Sequence, residues 1–313
     1  MSQSLYATDA SVYQQKPLGV VIPRTREELA RVVAICARHV CPLTMRGGGT
    51  SQAGQAIGEG LIADQSKYCN RLLEVNAGER WARVEPGIVL DELNAQLQPH
   101  ALRFAPDITT ASRATLGGMM ANNSSGARSV LYGKTVDHVL EQKVVLSDGS
   151  LVQFGPLTPG EWEARAQGES LDARAHRAVG RLGAELREEV ERRYPKVLRR
   201  VGGYNLDGFT DDGQVRNMVR MMVGSEGTLG VVLEAKIRLV PLPRHKAVVA
   251  IEFETLLDAL GATPAVLAHR PSAVEVMDEF ILRHTRENPA LDKLRRSFME
   301  GERTSLLCVE FYD

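Results

Sequence analysis

The first quarter of the chain alternates between short apolar runs and a stretch with helical spacing. LGVVIP (18–23) and GLIADQS (60–66) are apolar runs of strand length. Between them Thr25 begins a helix with a capping box, since Glu28 follows three residues later. The apolar face of this helix consists of Leu29, Val32, Val33 and Cys36. The β-α-β order predicts a small α/β unit over residues 17–75, in which the strand after Pro42 runs into a glycine cluster.

A second unit follows, in which strand-like alternation dominates. LLEV (72–75) and RWARVEPG (80–87) predict strands, and HVLEQKVVLSDGSLVQF (138–154) predicts a hairpin that turns at Asp148-Gly149. In LGVVLEAKIRL (229–239) every second residue is apolar, which is typical of a half-buried strand. The buried edge of one helix is formed by Leu90, Leu93 and Leu97, and Pro99 ends it. Residues 161–194 interleave both charge signs and predict solvated surface helices.

Pro241 and Pro243 mark a boundary, after which a new strand and helix pattern begins. Strands are predicted at 247–253 and 305–313, a helix at 255–268, and an apolar stretch at 273–277. We expect the final strand to be an unpaired edge, and therefore the sequence to be a piece of a longer protein.

The composition is that of an ordinary globular protein. Hydrophobic residues make up 43% and charged residues 25%, and the net charge is −1, which favours neither nucleic acid nor an anionic membrane as a partner. We find neither a transmembrane segment nor a secretory signal in the sequence, and therefore expect a cytoplasmic protein.

Cysteine and histidine spacing predicts no metal site. Cys36, Cys41, Cys69 and Cys308 form no C-x-x-C pair, and no two of the seven histidines are spaced as a ligand pair. We expect the cysteines to be buried, reduced thiols.

The stretch MRGGGTSQAG (45–54) contains the first candidate binding loop. Successive backbone N–H groups in a glycine turn can converge on an anion, and Thr50 and Ser51 add hydroxyl groups. The loop is no Walker A motif, because Gln55 follows Gly54, and no G-x-G-x-x-G motif, because Gln52 replaces the last glycine. Taken alone, it is also compatible with a simple tight turn.

Further clusters of glycine and hydroxyl residues occur at EPG (85–87), within 106–139, and at VGSEGTLGVV (223–232). Each ends a predicted strand or begins a predicted helix. Together they favour one extended, flat, polar ligand that lies on backbone, such as a nucleotide with an aromatic ring system.

These clusters carry a family resemblance. RGGGTS (46–51), VEPG (84–87), ATLGG (114–118), YGKT (132–135) and GSEGTLG (224–230) resemble, in order and spacing, the PCMH-type FAD-binding domain of the vanillyl-alcohol-oxidase family. Within that family the chain is similar to the branch that contains the D-type subunit of glycolate oxidase and D-lactate dehydrogenase. It is most similar to the long bacterial FAD-linked oxidases of the D-2-hydroxyglutarate dehydrogenase type. The resemblance runs from Tyr6 to the end and includes YNLDGF (204–209) and SAVEVMDEF (272–280).

The resemblance implies an α+β fold with a two-part FAD-binding domain over residues 1–243, divided into 17–75 and 76–243. Residues 244–313 would form the first part of an incomplete α+β substrate (cap) domain.

The resemblance also implies which residues contact FAD. The backbone of Gly47, Gly48, Gly49, Thr50 and Ser51 would cradle the pyrophosphate, in a loop with Arg46 and Gly54. The cofactor would be lined further by Pro106, Asp107, Thr109, Ser112, Thr115, Gly117, Gly118, Asn122 and Gly126. A last set near the adenosine half comprises Glu226, Gly227, Thr228, Leu229 and Gly230. Thr50 stands where some relatives carry a histidine that bonds covalently to the flavin, so we expect non-covalent FAD. A side chain at Gly48 is expected to occupy the place of the pyrophosphate.

The implied reaction is the transfer of hydride from the α-carbon of a D-2-hydroxy acid to the flavin, while a base takes the hydroxyl proton. In relatives the base and the substrate-side metal ligands lie in a C-terminal histidine-rich motif that does not occur here, so the catalytic residues stay unknown. Arg103 and Arg128 are the local candidates for binding the substrate carboxylate, and His138 is expected to be structural.

Other functions stay open. A sugar or lactone oxidase would use the same cofactor fold, and a flavin-carrying subunit would only pass electrons to a partner. The implied partners are a small 2-hydroxy acid and an electron acceptor, or a C-terminal or iron–sulfur partner outside this chain.

Overall fold

A computed structural model describes residues 2–200, 202–211, 213–299, 301 and 303–313. The chain forms two compact units. The first consists of residues 2–105, 109–124 and 134–241. The second consists of 106–108, 125–133 and 242–313. The second unit thus includes two short segments that precede the boundary predicted at the prolines.

The described chain has α+β character. Its helices are α1 Ser2–Leu5, α2 Arg26–Arg38, α3 Leu90–Leu97, α4 Leu116–Asn122, α5 Ser129–Tyr132, α6 Pro159–Arg165, α7 Leu171–Glu185, α8 Arg187–Arg193, α9 Val219–Met222, α10 Leu256–Leu267, α11 Glu279–Glu287 and α12 Pro289–Arg295. Its strands are β1 Gly19–Val21, β2 Leu43–Arg46, β3 Leu61–Asp64, β4 Leu72–Asn76, β5 Trp81–Val84, β6 Leu102–Arg103, β7 Val139–Val145, β8 Leu151–Phe154, β9 Pro156–Leu157, β10 Arg216–Asn217, β11 Val231–Arg238, β12 Val240–Pro241, β13 Lys246–Phe253, β14 Ala273–Met277 and β15 Ser305–Tyr312.

The first unit begins with the predicted β-α-β arrangement. β1 and β2 both pair in parallel with β3, giving the order β1-β3-β2. Thr25 caps α2, because its side chain accepts a hydrogen bond from the Glu28 N–H at 3.1 Å. The predicted capping box is incomplete, since the Glu28 carboxylate accepts from the Arg24 N–H and not from Thr25. The glycine loop follows directly after β2, so this sheet fixes where the loop begins.

A five-stranded antiparallel sheet, in the order β4-β5-β11-β7-β8, forms the rest of the scaffold. The alternation predicted for β11 is confirmed, because Val231, Leu233, Ala235 and Ile237 are all buried. Val231 and Leu233 join Leu29, Val33 and Ala63 in one core cluster. Helix α2 therefore packs its apolar face against both sheets, and truncating Leu29 to alanine is expected to cost about 2–5 kcal/mol.

The hairpin prediction is confirmed. β7 pairs antiparallel with β8, and the turn at Gly149 is closed by its N–H donating to the Leu146 carbonyl at 2.9 Å. The charged stretch forms α6, α7 and α8, as predicted. His176 on α7 is an exception to the solvated character, because it is fully buried beside Trp162 and Phe154.

The second unit is built on an antiparallel sheet in the order β13-β15-β14. α10 covers one face through Ala259, which packs with Leu307 and Val309. Leu306 packs with Leu282 and Met299 in a second cluster. The final strand is therefore paired on both sides, and the expectation that it forms an unpaired edge is wrong.

All four cysteines are free. Cys36 and Cys69 are buried as predicted, whereas Cys41 and Cys308 are only half-buried. Burial raises the pKa of the Cys69 thiol to about 11, so this sulfur stays protonated at neutral pH.

Candidate functional site

The glycine loop begins where β2 ends at Arg46. Within the described chain, the backbone N–H groups of residues 47–51 have no hydrogen-bond acceptor. Gly48 is exposed and the other residues of this stretch are half-buried, so these N–H groups lie near the protein surface. Gly49 has a φ of +65° and Gly54 a φ of +81°, conformations that favour glycine. Five successive unpaired donors are suited to binding an anion.

The Arg46 side chain holds the loop in its curved shape. Its Nη1 donates to the Ala56 carbonyl at 3.1 Å, and its guanidinium lies 5.3 Å from the centre of the Tyr6 ring. A Cβ atom at Gly49 would lie 2.7 Å from Nη2 of Arg46. Arg46 thus fills the space enclosed by the loop and supports the loop from within. Its predicted contact with the cofactor stays a prediction.

Tyr6 is itself fixed by a buried carboxylate. Its hydroxyl donates to Oδ2 of Asp64 at 2.6 Å. Burial, and then this bond, raise the pKa of Tyr6 to about 12. The phenol therefore stays neutral and supports Arg46 with its ring face.

The loop packs closely against residues 113–115. A Cβ atom at Gly47 would lie 2.1 Å from Oγ1 of Thr115, and one at Gly48 would lie 2.2 Å from the Arg113 carbonyl oxygen. A side chain at Gly48 would therefore meet the backbone of Arg113, and its expected overlap with the pyrophosphate stays a prediction. Glycine is required there because two backbone segments touch.

Thr115 connects this loop to α4. It is the N-cap of the helix, and its hydroxyl accepts from the Gly118 N–H at 3.3 Å. Gly118 is exposed, and a Cβ there would have only an ordinary contact, at 3.5 Å from Thr115. Thr109 and Ser112 lie exposed on the segment before α4. The structure thus places Thr115 beside the glycine loop, and Thr109 and Ser112 on the segment that leads to it.

Gly117 lies on the buried side of α4. Its N–H donates to the Pro86 carbonyl at 2.7 Å, which joins the helix to the predicted EPG stretch. A Cβ atom at Gly117 would lie 2.6 Å from Nε2 of Gln65. The glycine is needed for the close approach of Gln65 and Pro86.

The loop 224–230 meets the other end of α4. Oε1 of Glu226 accepts hydrogen bonds from Asn122 at 3.2 Å and from Gln55 at 3.3 Å. Its backbone N–H donates to the Ala121 carbonyl at 3.0 Å, and its φ of +48° is unusual for a residue other than glycine. Glu226 therefore links the glycine loop, through Gln55, to α4.

The remaining residues of this loop have different surroundings. Gly227 and Thr228 are exposed, and Thr228 is bonded to the Tyr204 hydroxyl at 2.9 Å. Leu229 is half-buried. Gly230 packs against the sheet, since a Cβ there would lie 2.8 Å from Cγ1 of Val144. Packing against the sheet thus explains why residue 230 is a glycine.

Three predicted residues belong to the second unit, namely Pro106, Asp107 and Gly126. A Cβ atom at Gly126 would lie 2.0 Å from the Asp107 carbonyl oxygen. The Asp107 carboxylate accepts from the Arg128 N–H at 3.2 Å and from Nη1 of Arg128 at 3.0 Å.

Arg128 also binds Glu310 through Nε at 2.8 Å and Nη2 at 3.2 Å. Its guanidinium lies 5.0 Å from the Tyr312 ring centre. All three guanidinium nitrogens thus bind carboxylates of the same unit. This occupancy counts against Arg128 as the substrate-binding arginine.

Arg103 and His138 both belong to the first unit. Arg103 is half-buried on β6, which pairs with β12. His138 is buried at the start of β7, with its ring 5.8 Å from that of Phe104 in an edge-on arrangement. This packing supports the structural role expected for His138.

Sequence reasoning missed Gln55 and Gln65. In the sequence Gln55 only breaks a Walker motif, whereas in the structure its side chain donates to Glu226. Gln65 is the residue after β3, and no motif marks it. A signal was available only in its position at the carboxyl end of a parallel strand, where ligand contacts are common in α/β units.

Among the described residues, no group of three or more His, Cys, Asp or Glu side chains is arranged to hold a metal ion. In the same part of the chain, every helix is too short or too polar to cross a membrane.

The geometry fits the diphosphate of FAD. The unpaired N–H groups of residues 47–51 can donate to the diphosphate oxygens. The Arg46 side chain is bonded to the Ala56 carbonyl, so the loop offers backbone dipoles to the diphosphate. The described first unit brings the predicted residues of 46–54, 109–122 and 226–228 into one connected set of loops.

Known families match both parts of the chain. Residues 17–155 match the FAD binding domain, and residues 242–312 match the C-terminal domain of FAD linked oxidases.

The chain is similar to D-2-hydroxyglutarate dehydrogenase of Pseudomonas putida, with 36% identity over 90% of this chain and 28% of the relative. It is 28% identical to glycolate oxidase subunit GlcD of Bacillus subtilis, over 88% of this chain and 48% of the relative. The solved structure of alkyldihydroxyacetonephosphate synthase has the same fold, with a TM-score of 0.63 and 20% identity over 94% of this chain and 47% of that chain. The chain spans less than a third of the length of the D-2-hydroxyglutarate dehydrogenases it matches.

Proposed function

We propose, from the premise that this chain belongs to the FAD-linked oxidases, that it forms the FAD-binding part of an enzyme that oxidises a D-2-hydroxy acid. D-2-Hydroxyglutarate, D-lactate and glycolate are the candidate substrates. The main support is the 36% identity to a D-2-hydroxyglutarate dehydrogenase over 90% of this chain. The unpaired donors of residues 47–51 supply a matching physical reason for cofactor binding.

The residues of the first unit would bind and orient the cofactor. The N–H groups of the glycine loop would donate to the diphosphate, while Arg46 keeps the loop curved. The buried Thr115 caps α4 beside the loop, the exposed Gly118 presents its backbone there, and Glu226 holds the neighbouring loop. When bound, FAD supplies the acceptor for the hydride that leaves the substrate's α-carbon.

We propose that FAD is bound without a covalent link. The residue after the three glycines is Thr50, whose hydroxyl does not form the bond that a histidine forms with the flavin in some relatives. Acid precipitation tests this directly, since free flavin would appear in the supernatant.

The remaining catalytic groups are proposed to lie elsewhere. Arg128 is occupied by two carboxylates, and the described residues contain no histidine-rich cluster for the proton and the substrate. A further polypeptide segment or partner would supply these groups and accept the electrons.

We also propose that the protein is located in the cytoplasm.

An anaerobic titration tests the proposed function. The purified, FAD-loaded protein is mixed with D-2-hydroxyglutarate, D-lactate or glycolate, and the absorbance of the oxidised flavin in the visible range is followed. The L-enantiomers and a polyol are controls. Bleaching by a D-2-hydroxy acid alone supports the proposal, whereas bleaching by a polyol or lactone would assign a sugar or lactone oxidase.

A second candidate function is a flavin-carrying subunit, which the name of the Bacillus subtilis relative favours. In that case dithionite reduces the bound FAD, but no hydroxy acid does until a partner chain is added. A protein that FAD neither colours nor stabilises against melting would contradict both functions.

A further inference from the structure

Gln65 lies at the point where the loops of the candidate site meet. It follows β3 directly, and its backbone N–H donates to the Arg46 carbonyl at 3.2 Å. Its own carbonyl accepts from the Cys69 N–H at 3.2 Å, and only 6% of the residue is exposed. The backbone of Gln65 is therefore fixed, and its side chain is held within the fold.

The Gln65 carboxamide packs against the backbone of Gly117. Its Nε2 lies 2.6 Å from the position that a Cβ at Gly117 would take. Pro86 flanks the same position, at 2.9 Å from its Cβ. The missing side chain of Gly117, a residue assigned to the cofactor by resemblance, is what makes room for the carboxamide.

The carboxamide oxygen has no hydrogen-bond partner within the described chain. Oε1 of Gln65 is fully buried and lacks a donor. A buried acceptor that loses its bond to water and gains no other is destabilising, and native proteins rarely contain one without a reason. The diphosphate of FAD offers only acceptors at neutral pH, so the donor must belong to one of the two halves that flank it. The family resemblance places the adenosine half near residues 226–230, whereas the flavin half offers the ribityl hydroxyls and the ring N–H as donors.

We infer that Gln65 is a further cofactor-binding residue, whose carboxamide oxygen accepts a hydrogen bond from the flavin half of FAD beside Gly117. The inference rests on the proposed function, because it requires FAD in the glycine loop. It adds a side-chain contact to a site otherwise formed by backbone.

Gln142 provides a matched control. It is also a buried glutamine with an unpartnered Oε1, but it lies on β7 and its Nε2 donates to Sδ of Met120 at 3.3 Å. None of its described contacts is with the glycine loop.

The experiment compares Gln65→Met and Gln142→Met with the wild type. Melting without cofactor is measured first, followed by titration with FAD and with ADP, which lacks the flavin. Because methionine has a similar volume and no unpaired acceptor, Gln65→Met should melt at or above the wild-type temperature when no FAD is present. Its FAD affinity should fall about 3- to 10-fold, the effect of one lost neutral hydrogen bond, with ADP affinity unchanged. Gln142→Met should bind FAD as the wild type does.

Three results would overturn the inference. They are wild-type FAD affinity in Gln65→Met, an equal loss of ADP affinity, or apo melting that falls in both Gln65→Met and Gln65→Leu. The last outcome would show that the carboxamide stabilises the fold itself. If the wild type binds no FAD, the proposed function fails. If the wild type and Gln65→Met bind FAD equally well, only the inference about Gln65 fails.

Discussion

A single methyl group at Gly48 tests the packing of the glycine loop. The Cβ of Gly48→Ala would lie 2.2 Å from the Arg113 carbonyl oxygen and 2.9 Å from its carbon. Both atoms belong to backbone, so no rotamer change relieves the contact. The two segments must separate by about 1 Å to restore ordinary contact, which is overpacking of a kind that costs about 1–3 kcal/mol.

The expected consequence is a loss of stability before any cofactor is added. For a unit of this size, about 1–3 kcal/mol corresponds to a melting temperature lower by about 2–12 °C. FAD affinity should fall as well, because the donors of residues 47–51 move with the loop. Circular dichroism melting of the apo protein and a fluorescence titration with FAD measure the two effects.

Gly118→Ala is the matched control. Its Cβ would lie 3.5 Å from Oγ1 of Thr115, an ordinary contact, and its position in the first turn of α4 favours alanine over glycine. Apo stability should be unchanged or slightly higher. If Gly48→Ala melts with the wild type, or if Gly118→Ala is the less stable variant, the close approach of Gly48 to Arg113 is refuted.

Three further predictions concern charged and titrating groups. Tyr6→Phe should lower the free energy of unfolding of the apo protein by about 0.5–1.5 kcal/mol. Because the pKa of Tyr6 rises from 10.0 to about 12 on folding, the stabilisation by its hydroxyl is present below pH 10 and is lost between pH 10 and 12. Burial lowers the pKa of His176 below 6.5, so stability should fall as the pH drops below 6.5, and His176→Gln should remove that dependence in urea unfolding curves measured against pH. Arg128→Gln should destabilise the second unit by about 1–3 kcal/mol, since it leaves Asp107 and Glu310 without their cation, and an unchanged urea midpoint would contradict this role.

The regular elements were predictable because their patterns are local. The period of α2, the alternation in β11 and the turn at Asp148-Gly149 each depend on neighbouring residues, and the structure confirms them. The pairing of β15 was not predictable in the same way. Its partners lie about 30 to 60 residues earlier in the chain, and nothing in an apolar strand specifies which edges it will meet.

The candidate site was predictable as a set of loops, but not in its contacts. Glycine patterns and the family resemblance indicated where backbone is exposed. They gave no sign that Gly48 touches Arg113, that Arg46 fills its own loop, or that Arg128 is bound by two carboxylates. Such contacts join residues far apart in the sequence, so only the folded chain reveals them.

The central position of β15 has a consequence for biosynthesis. β13 pairs with β15 along its whole length, yet about 50 residues separate the end of one from the start of the other. At typical translation rates of about 5–20 residues per second, β13 waits roughly 3–10 s on the ribosome before its hydrogen-bonding neighbour exists. β14 waits for the same strand, so neither β13 nor β14 can form its ladder before β15 has been synthesised.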